Sequence, residues 1–530
     1  MRFIQGLGVI AAGMTAAAWA AQPEPPLEEV VVEASLRRQT VDELPTSVTV
    51  LERETLQLAG VQHFQDVLGL VPNLNWSAGT SRPRYFQLRG IGELEQFQGA
   101  PNTSVGFLID GIDFSGIGMP ATLFDVEQIE VLRGPQGTTY GANALAGLIS
   151  VRTREPRPEP ELRAELKAGE YGTYGFGGVI GGALPGSDSS AYRLVAQRHR
   201  SDGFRRNAFL GRDDTNGYDE TTLRGRLSWD AGDDLQLDFT AMYVDLDNGY
   251  DAFAIDNSRV THSDKPGRDA QRSSALAVAA EYRGFGSFTL RSTTTFADSD
   301  IVYSFDGDWG NDAFWGPFAP YDFTSQTLRN RRTWSQELRA VSAPGSEIGG
   351  RAAWVAGLYV LDSRETNDQL DTFNGEVFNP PPLSSRYDAT NYAAYGELDI
   401  GLTQRTRLSL GARVERRDAD YEDNRGSAFD PSETMVGGHL SLEYALSPSR
   451  HLYATLSRGY KAGGFNIGAS VPEPRRTFDA EYLWNLETGL KSSSGDGRLD
   501  SQVALFYMRR TDQQVHTSVQ LDPGDPLSFV

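Results

Sequence analysis

The side chains that most often perform catalysis or bind metals are few and scattered in this sequence. The chain has no cysteine, which excludes disulfides and thiolate metal sites. Neither a Gly-x-Ser-x-Gly nor a His-Glu-x-x-His sequence occurs, and the six histidines have no ligand spacing. They are His63, His199, His262, His439, His451 and His516. We therefore expect no catalytic residues, no metal site, no cofactor and no enzymatic activity.

A glycine-rich stretch at residues 133–141 is a second place where chemistry could occur. It begins Arg133-Gly134-Pro135-Gln136-Gly137, which lacks the spacing of a phosphate-binding loop and has no lysine nearby. A structural turn is the better interpretation. The segment from Asp245 to Gly249 is likewise an incomplete match to a calcium loop.

Aromatic side chains are concentrated in residues 301–323. They are Tyr303, Phe305, Trp309, Phe314, Trp315, Phe318, Tyr321 and Phe323. In an exposed loop, such rings could stack on an aryl ligand, each contributing on the order of 1 kcal/mol. Alternatively they pack within the loop or line a membrane interface. Trp309, Trp315 and Phe318 are the strongest ligand candidates, because neighbouring glycine and proline residues would shape a loop that presents them.

The charge and hydropathy of the whole chain limit its partners. The net charge of −22 argues against binding to nucleic acid, and acidic residues on solvated loops explain it. The mean hydropathy of −0.41 is that of a soluble protein. A transmembrane β-barrel, however, hides its apolar residues by alternation, so average hydropathy underestimates its membrane contact.

The N-terminus has the pattern of a secretory signal. Arg2 is followed by an apolar stretch, and Ala18-Trp19-Ala20 fits the small-x-small cleavage rule, so we predict a signal peptide at residues 1–21. The alternative is a membrane anchor, for which the stretch is slightly short. A proline-rich tail follows at residues 22–39. Residues 28–33 within it form a β-prone run that could add as a strand to another protein's sheet.

Residues 40–155 and the residues after 160 differ in their patterns of apolar and polar side chains. The first segment predicts a compact mixed α/β unit, with strands at 47–51, 85–89, 105–109, 129–132 and 148–153. Its apolar residues from Val61 to Val71 predict a helix that ends at Pro72. From Glu161 onward, apolar and polar residues alternate over long runs, for example from Leu408 to Glu415. This period of two is typical of strands between lipid and water.

The connections after residue 160 alternate in length as well. Short turns are predicted at 184–189, 231–234, 284–286, 342–349, 400–404, 447–449 and 492–496. Long loops are predicted at 201–219, 246–272, 299–328, 363–388, 417–433 and 461–480. This alternation favours a transmembrane antiparallel barrel over a soluble β-sandwich. We count about fifteen strands up to Arg510. Because bacterial barrels have an even number, we expect residues 161–530 to be C-terminally incomplete.

Several motifs resemble those of the TonB-dependent outer-membrane receptors, in particular the siderophore-type branch. The most specific runs from Phe124 to Gly141 and continues through Ala146-Gly147-Leu148-Ile149. Further matches are Leu88-Arg89-Gly90, Leu108-Ile109-Asp110-Gly111, the segment from Tyr453 to Asn466, and the segment from Glu481 to Lys491. The resemblance covers essentially the whole chain. It implies an all-β barrel, with a family norm of about 22 strands, and a mixed α/β plug inside its lumen.

The resemblance also assigns the parts of the chain. Residues 40–155 become the plug, and residues 28–33 become the TonB box, which pairs with the energy-transducing protein TonB in the periplasm. The TonB box consists of Glu28, Glu29, Val30, Val31, Val32 and Glu33. The implied function is energised import of a scarce ligand, first a ferric siderophore, with haem, cobalamin or a glycan as alternatives. A passive porin or adhesin barrel is the alternative from another class.

Two sets of site residues follow from this arrangement. Plug loops 76–84 and 93–104 are expected to face outward, with ligand candidates Trp76, Arg82, Arg84, Phe97 and Gln98. Ion pairs between the plug and the lumen wall are expected among Arg89, Glu127, Glu130, Arg133, Arg413 and Glu415. The alternative for the second set is simple solvation in the lumen. The expected partners are TonB, a small ligand and outer-membrane lipid, with a monomeric state.

Overall fold

We analysed a computed structural model of the chain. It describes residues 31–32, 35–37, 39–77, 82–95, 99–118, 122–378, 380–467, 471–494, 499–519 and 528–529. No helix in these residues is long and apolar enough to span a membrane. The predicted signal peptide and TonB-box residues Glu28, Glu29, Val30 and Glu33 lie outside the described ranges.

The N-terminal part of the described chain is a short tail followed by the plug. The tail contains β1 (Val31–Val32) and β2 (Gln39–Thr40), which pair with each other. The plug contains β3 (Val48–Glu52), α1 (Arg53–Leu58), a 3-10 helix at Phe64–Leu70, β4 (Leu74–Ser77), β5 (Tyr85–Leu88), β6 (Val105–Ile109), β7 (Ile112–Asp113), β8 (Val126–Arg133), a 3-10 helix at Gly141–Asn143, and β9 (Gly147–Thr153). All five predicted plug strands are present within one to three residues of their expected ends.

The predicted helix at residues 61–71 is mostly a 3-10 helix. It spans Phe64–Leu70, and the α-helix α1 precedes it. The reason is visible in the sequence, because Phe64, Val67 and Leu70 are three residues apart. A 3-10 helix repeats every three residues, so this spacing places the apolar side chains on one edge. Phe64 and Val67 are buried there in the plug core.

A five-stranded mixed sheet forms the centre of the plug. Its strand order is β3-β8-β9-β6-β7, and β6 and β9 are parallel. Both faces are covered, which is why β6 has five buried residues in succession rather than an alternating pattern. Phe64, Phe86 and Phe107 pack together in the core with ring centroids 5.3–5.4 Å apart.

The rest of the described chain forms one large antiparallel sheet with small elements in its loops. The strands are β10 (Glu161–Ala168), β11 (Tyr174–Ala183), β12 (Ala191–Ser201), β13 (Arg206–Asn207), β14 (Tyr218–Asp230), β15 (Leu235–Tyr250), β16 (Val260–Thr261), β17 (Gly267–Tyr282), β18 (Phe288–Asp306), β19 (Phe323–Ser342), β20 (Ala352–Phe373), β21 (Glu376–Val377), β22 (Leu383–Gly401), β23 (Thr406–Asp423), β24 (Ala428–Phe429), β25 (Ser432–Ser447), β26 (Arg450–Lys461), β27 (Gly464–Phe465), β28 (Thr477–Phe478), β29 (Glu481–Ser493), β30 (Asp500–Thr511), β31 (Ser518–Val519) and β32 (Ser528–Phe529). The helix α2 (Asp312–Trp315) and 3-10 helices at Gly316–Phe318 and Glu473–Arg475 lie in loops.

Neighbouring long strands pair in sequence order across this sheet. It has seventeen strands in the described residues, running from β10 at one edge to β30 at the other. Two of them, β21 and β24, have two residues each, so fifteen long strands remain. This number agrees with the count from the sequence.

Aromatic side chains mark the two borders of the lipid-facing band. At the end with short turns, Tyr282, Phe285, Phe288 and Trp354 pack on one another with centroids 4.6–6.1 Å apart. At the other end, Phe296 on β18 lies opposite Trp334 on β19. The eight residue steps from Phe288 to Phe296 span about 27 Å along the strand at ~3.4 Å per residue. On a strand tilted by roughly 35–45° this is a height of about 19–22 Å, somewhat less than an apolar band about 25 Å tall.

The predicted long loops are shorter than expected, because the strands continue far beyond the apolar band. Strands β18 and β19 enter the predicted loop 299–328 and leave residues 307–322 as its loop. Strands β20 and β22 occupy most of 363–388. Polar composition suggested loops, but cross-strand hydrogen bonds and ion pairs between outward Arg and Asp side chains keep these segments paired.

The sheet curves round the plug, and its edge strands β10 and β30 do not pair with each other in the described residues. Plug side chains or backbone contact lumen-facing residues from β12 round to β29. These contacts are Asp125–Arg193, His63–Glu220, Arg82–Asp269, Ser115–Arg331, Gly141–Glu415, Thr138–His439, Pro45–Thr455 and Arg89–Glu487. The large sheet therefore forms a barrel wall with the plug in its lumen.

Candidate ligand site and plug contacts

A large cavity lined by described residues lies at the end of the barrel that carries the long loops. Its volume is about 910 Å³. Plug residues 92–95 and 100–104 form one side, described residues of the connection from β26 to β29 form another, and residues 510–517 at the end of β30 and beyond complete it. Ligand pockets commonly have volumes of roughly 300–1,000 Å³. The cavity is therefore large enough for a compact chelate or cofactor-sized molecule.

The plug side of this cavity is fixed by Glu93. Its carboxylate accepts hydrogen bonds from the Ser104 amide at 2.9 Å and the Ser104 hydroxyl at 2.6 Å. Lys461, at the end of β26, lies 2.8 Å from the same carboxylate. Burial alone would raise the pKa of Glu93, but Lys461 and Ser104 outweigh it and hold the pKa below its usual value. An ionised Glu93 thus ties the plug loop to the barrel.

The barrel side is held by a second set of polar contacts. The Arg510 guanidinium donates to Glu481 at 2.9 Å, and the Gln514 amide donates to the same carboxylate at 3.0 Å. Asn102 of the plug donates to the backbone oxygens of Ala462 and Gly463 at 2.9 and 2.8 Å. These bonds hold the cavity wall in one arrangement before any ligand is bound.

An aromatic cluster anchors the loop between β26 and β29. Phe465 is fully buried and stacks on Phe429 with centroids 4.7 Å apart. Tyr421 and Tyr387 pack on the other sides of the same ring. The loop therefore has a rigid base, and its residues 474–479 face the cavity.

Arg82 and Arg84 are not exposed on this cavity, in contrast to the predicted outward placement. Both side chains are buried and bond to Asp269, which is on the lumen face of β17. The distances are 2.6 Å from Arg82 and 3.1 Å from Arg84. The predicted exposure took no account of the barrel wall, where Asp269 provides a buried partner for both arginines. In this conformation the two arginines are contacts between plug and barrel.

The other plug candidates lie apart or cannot be placed. Trp76 is half-buried, pairs with Phe86 across β4 and β5, and packs against the plug core. Phe97 and Gln98 lie outside the described residues, although the plug loop that contains them borders the cavity. Direct ligand contact by these residues stays a prediction.

The aromatic segment 301–323 packs largely on itself and on a neighbouring loop. Trp309 stacks on Phe253 with centroids 5.2 Å apart. Trp315 meets Tyr321 edge-to-face at 5.1 Å and donates its indole N–H to Asp308 at 3.1 Å. Phe318 remains 76% exposed. Packing within the loops therefore accounts for the positions of Trp309 and Trp315. Ligand contact by Trp309, Trp315 and Phe318 stays a prediction.

One of the predicted plug arginines bonds directly to the barrel wall. Arg89 lies 2.6 Å from Glu487 on β29, and both side chains are almost completely buried. Glu487 also accepts from the Ser47 amide at 2.9 Å and the Tyr453 hydroxyl at 2.7 Å. This carboxylate therefore joins the start of β3, the end of β5 and two barrel strands.

Three other predicted plug residues bond to partners within the plug. Glu127 pairs with Arg154 at 3.4 Å, and Glu130 accepts from Gln128. Arg133 donates to Thr49 and to the Pro72 carbonyl oxygen at 2.9 and 2.8 Å. Burial and the neighbouring Arg89 lower the pKa of Arg133 to about 10.

The predicted barrel residues pair with each other. Arg413 lies 2.8 Å from Glu415, two positions along β23. The plug reaches them through Gly141, which has a positive φ of 76°. A Cβ at that position would lie 2.0 Å from the Glu415 carboxylate, so the close approach requires glycine. The expected pairing of these two residues with plug charges is therefore not what the structure has.

Several contacts between plug and barrel were not predicted. Asp125 bonds to Arg193 on β12 at 2.6 Å, and His63 bonds to Glu220 on β14 at 2.6 Å. The alternation of β12, β14 and β17 places Arg193, Glu220 and Asp269 on the lumen face. The charge of these three residues at lumen-facing positions could have indicated contacts with the plug. Nothing in the sequence indicated which plug residues they would contact.

The described part of the predicted TonB box is bound to the plug. Val31 and Val32 pair with Thr40 and Gln39, and Val32 is fully buried. Val32 packs with a cluster that includes Leu132 and Leu148. The Gln128 side-chain amide donates to the Val31 carbonyl oxygen at 3.1 Å.

A barrel wall filled by a mixed α/β plug defines a class of outer-membrane receptors, and comparison with known families agrees. The model "TonB dependent receptor-like, beta-barrel" matches residues 165–528, and the model "TonB-dependent Receptor Plug Domain" matches residues 40–148. The chain therefore belongs to the TonB-dependent receptors and is an outer-membrane protein.

Individual relatives are distant but cover most of the chain. The pesticin receptor of Yersinia enterocolitica is 26% identical over 94% of this chain and 72% of its own length. The iron-regulated outer membrane virulence protein of Vibrio cholerae is 23% identical over 88% of this chain and 67% of its own length. The crystal structure of the ferric yersiniabactin uptake receptor FyuA from Yersinia pestis is 22% identical, with a TM-score of 0.75 over 89% of this chain and 73% of that one.

Proposed function

We propose that the chain imports a ferric siderophore across the outer membrane, with energy supplied by TonB. The observation that carries this proposal is the cavity of about 910 Å³ between the plug loop and the barrel loops. It is on the side where an external ligand arrives, and one wall is the plug itself. A ligand bound there contacts the part of the protein that must move for import.

The filled lumen argues against a passive pore. The plug contacts the wall on strands from β12 to β29, and a cavity between the described plug and the middle of the wall has about 270 Å³. A molecule that fills the outer cavity is too large for this space. Passage then requires plug movement, which is why an energised importer fits better than a porin or adhesin.

Names of relatives support a siderophore as the ligand class. They include a pesticin receptor, an iron-regulated virulence protein and the ferripyoverdine receptor of Pseudomonas aeruginosa, which is 27% identical over 89% of this chain. A vitamin B12 transporter of Vibrio vulnificus matches 42% of the chain. Cobalamin, haem and glycans are therefore the competing ligands to test.

The partners follow from the same proposal. TonB binds residues 28–33 from the periplasm by strand addition, after Val31 and Val32 leave the plug. Iron is present as part of the transported ligand, so the protein has no cofactor of its own and catalyses no reaction. We expect the protein to lie in the outer-membrane lipid as a monomer, and the net charge of −22 disfavours nucleic acid.

The ligand class and its site are tested together by calorimetric titration of the purified protein. The ligands are ferric catecholate, hydroxamate and phenolate siderophores, haem and cyanocobalamin. Thr477→Trp fills the cavity, and Ala428→Trp adds the same ring to a hairpin that does not border it. We expect one ferric siderophore class to bind and Thr477→Trp alone to weaken it at least tenfold, or about 1.4 kcal/mol. Binding of haem or cobalamin alone would contradict the siderophore assignment.

A further inference from the structure

A short band of charged side chains lies on the outer face of β18, β19, β20, β22 and β23, next to the upper aromatic border. It begins one row beyond the Phe296–Trp334 pair, with Asp298 opposite Arg332. The row continues across the next strands as Arg364, Asp388 and Asp420. Since the aromatic row marks the edge of the apolar band, these side chains lie at the level of the lipid headgroups.

Two arginines in this row face each other across neighbouring strands. Arg332 on β19 is the direct partner of Arg364 on β20, and both point to the outside of the barrel. Like charges directly opposite each other in an antiparallel pair are destabilising. An acid beside each arginine compensates in part, with Asp298 2.7 Å from Arg332 and Asp388 2.6 Å from Arg364.

The two guanidinium groups keep unused donors. Their side chains are 52% and 50% exposed. Asp298 bonds to Nε and one terminal nitrogen of Arg332, and Asp388 bonds to Nε of Arg364. Among the described residues, the other terminal N–H groups have no protein partner. They can therefore donate to an anion between the two strands.

We propose that Arg332 and Arg364 bind a phosphate group of the phosphorylated glycolipid, lipopolysaccharide, that forms the outer leaflet. Arginine binds phosphate in a bidentate manner, and two guanidinium groups on adjacent strands match one phosphate. The pair adjoins the lipid-facing band, so a lipid that packs on Trp334 places its headgroup at this level. With three acids and two arginines the row has a net charge of −1, so a phosphate is selected by geometry and not by general positive charge.

Native mass spectrometry of the purified full-length chain with bis-phosphorylated lipid A tests the proposal. The variant is Arg332→Gln with Arg364→Gln. The control is Arg206→Gln with Arg212→Gln, which removes two exposed arginines from an extracellular loop away from the band. We expect the first variant to weaken lipid A binding at least tenfold and the control to leave it unchanged. Replacing both arginines of the pair by lysine should also weaken binding, because the bidentate geometry is lost.

Two outcomes would overturn the assignment. The first is wild-type lipid A binding in the glutamine variant. The second is equal binding of dephosphorylated lipid A or phosphatidylglycerol to the wild-type chain, which would show that the pair does not select the phosphorylated glycolipid. The dephosphorylated lipid uses unaltered protein, so the test stands even if the glutamine variant does not fold.

Discussion

The buried carboxylate of Glu487 accepts hydrogen bonds from both the plug and the barrel wall. Arg89, Ser47 and Tyr453 all donate to its carboxylate, at 2.6, 2.9 and 2.7 Å. Burial and the charge of Arg89 lower the pKa of the neighbouring Arg133, and the charge of Glu487 raises it. A single negative charge therefore stabilises two neighbouring plug arginines, which would repel each other without it.

Removing this charge tests the contact. Glu487→Gln keeps the size of the side chain but leaves Arg89 buried and unpaired, which costs about 3–5 kcal/mol for a buried ion pair. Glu155→Gln removes the partner of Arg152 at an exposed pair and should cost about 0–1 kcal/mol. Urea unfolding of the plug measures both, followed by Trp76 fluorescence in chains whose other tryptophans are replaced by phenylalanine. Equal midpoints for the two variants would show that Glu487 does not hold the plug.

His63 provides a contact whose strength depends on pH. Glu220 and Asp66 attract its charged form, and they outweigh burial and the neighbouring Arg82, so the pKa of His63 is raised above 6.5. His199 and Tyr218 pack against the same ring. A histidine with a raised folded-state pKa contributes its stability fully below the unfolded value and loses it as pH rises through the folded value.

We therefore expect plug stability to decline as pH rises above 6.5, and His63→Gln to remove this part of the decline. His262→Gln is the matched control, because His262 stacks on Phe314 in an extracellular loop and not on the plug. Thermal unfolding between about pH 6 and 9 gives the slopes. If wild type and His63→Gln had the same slope, the His63–Glu220 pair would not be the source.

Among the elements, strands with strict alternation were the easiest to predict from the sequence. In β23, apolar side chains from Leu408 to Val414 face lipid and polar ones face the lumen, and this pattern is local. The ends of β18 to β22 were harder, because their outward side chains are charged and the composition resembles a loop. Their pairing depends on partners such as Asp388 for Arg364, which lie on another strand.

The candidate site was less predictable for the same reason. Arg82 and Arg84 read as free cations in a plug loop, but Asp269, 185 or more positions away, binds both. Glu93 and Lys461 are 368 positions apart and come together through the plug's position in the lumen. Sequence patterns predict which face a side chain takes, but not which distant residue meets it there.

The tail strand β1 is the element whose role in energy coupling can be tested separately. Val31→Pro removes the backbone donor needed for strand addition to TonB, and Val31→Thr keeps that donor and the β-preference. We expect Val31→Pro to abolish uptake while ligand binding at the cell surface stays normal. Binding and uptake of labelled ligand are measured at equal surface abundance. Normal uptake by Val31→Pro would refute the TonB-box assignment.

For the whole molecule, the contacts describe a closed importer. The ligand cavity is open to the outside, the plug fills the lumen, and the tail is packed on the plug through Val32. Import must break some of the contacts between plug and wall. Ligand binding at equilibrium cannot by itself drive repeated cycles of transport. Repeated import therefore requires an external energy source that acts through the tail.

The most direct measurement of this claim is uptake of a radiolabelled ferric siderophore by cells in which this chain is the sole receptor. Accumulation is compared in strains with and without TonB, and surface binding is measured in both. We predict equal binding in both strains and accumulation in the strain with TonB alone. Equal accumulation in the two strains would contradict energised import and indicate passive passage through the barrel.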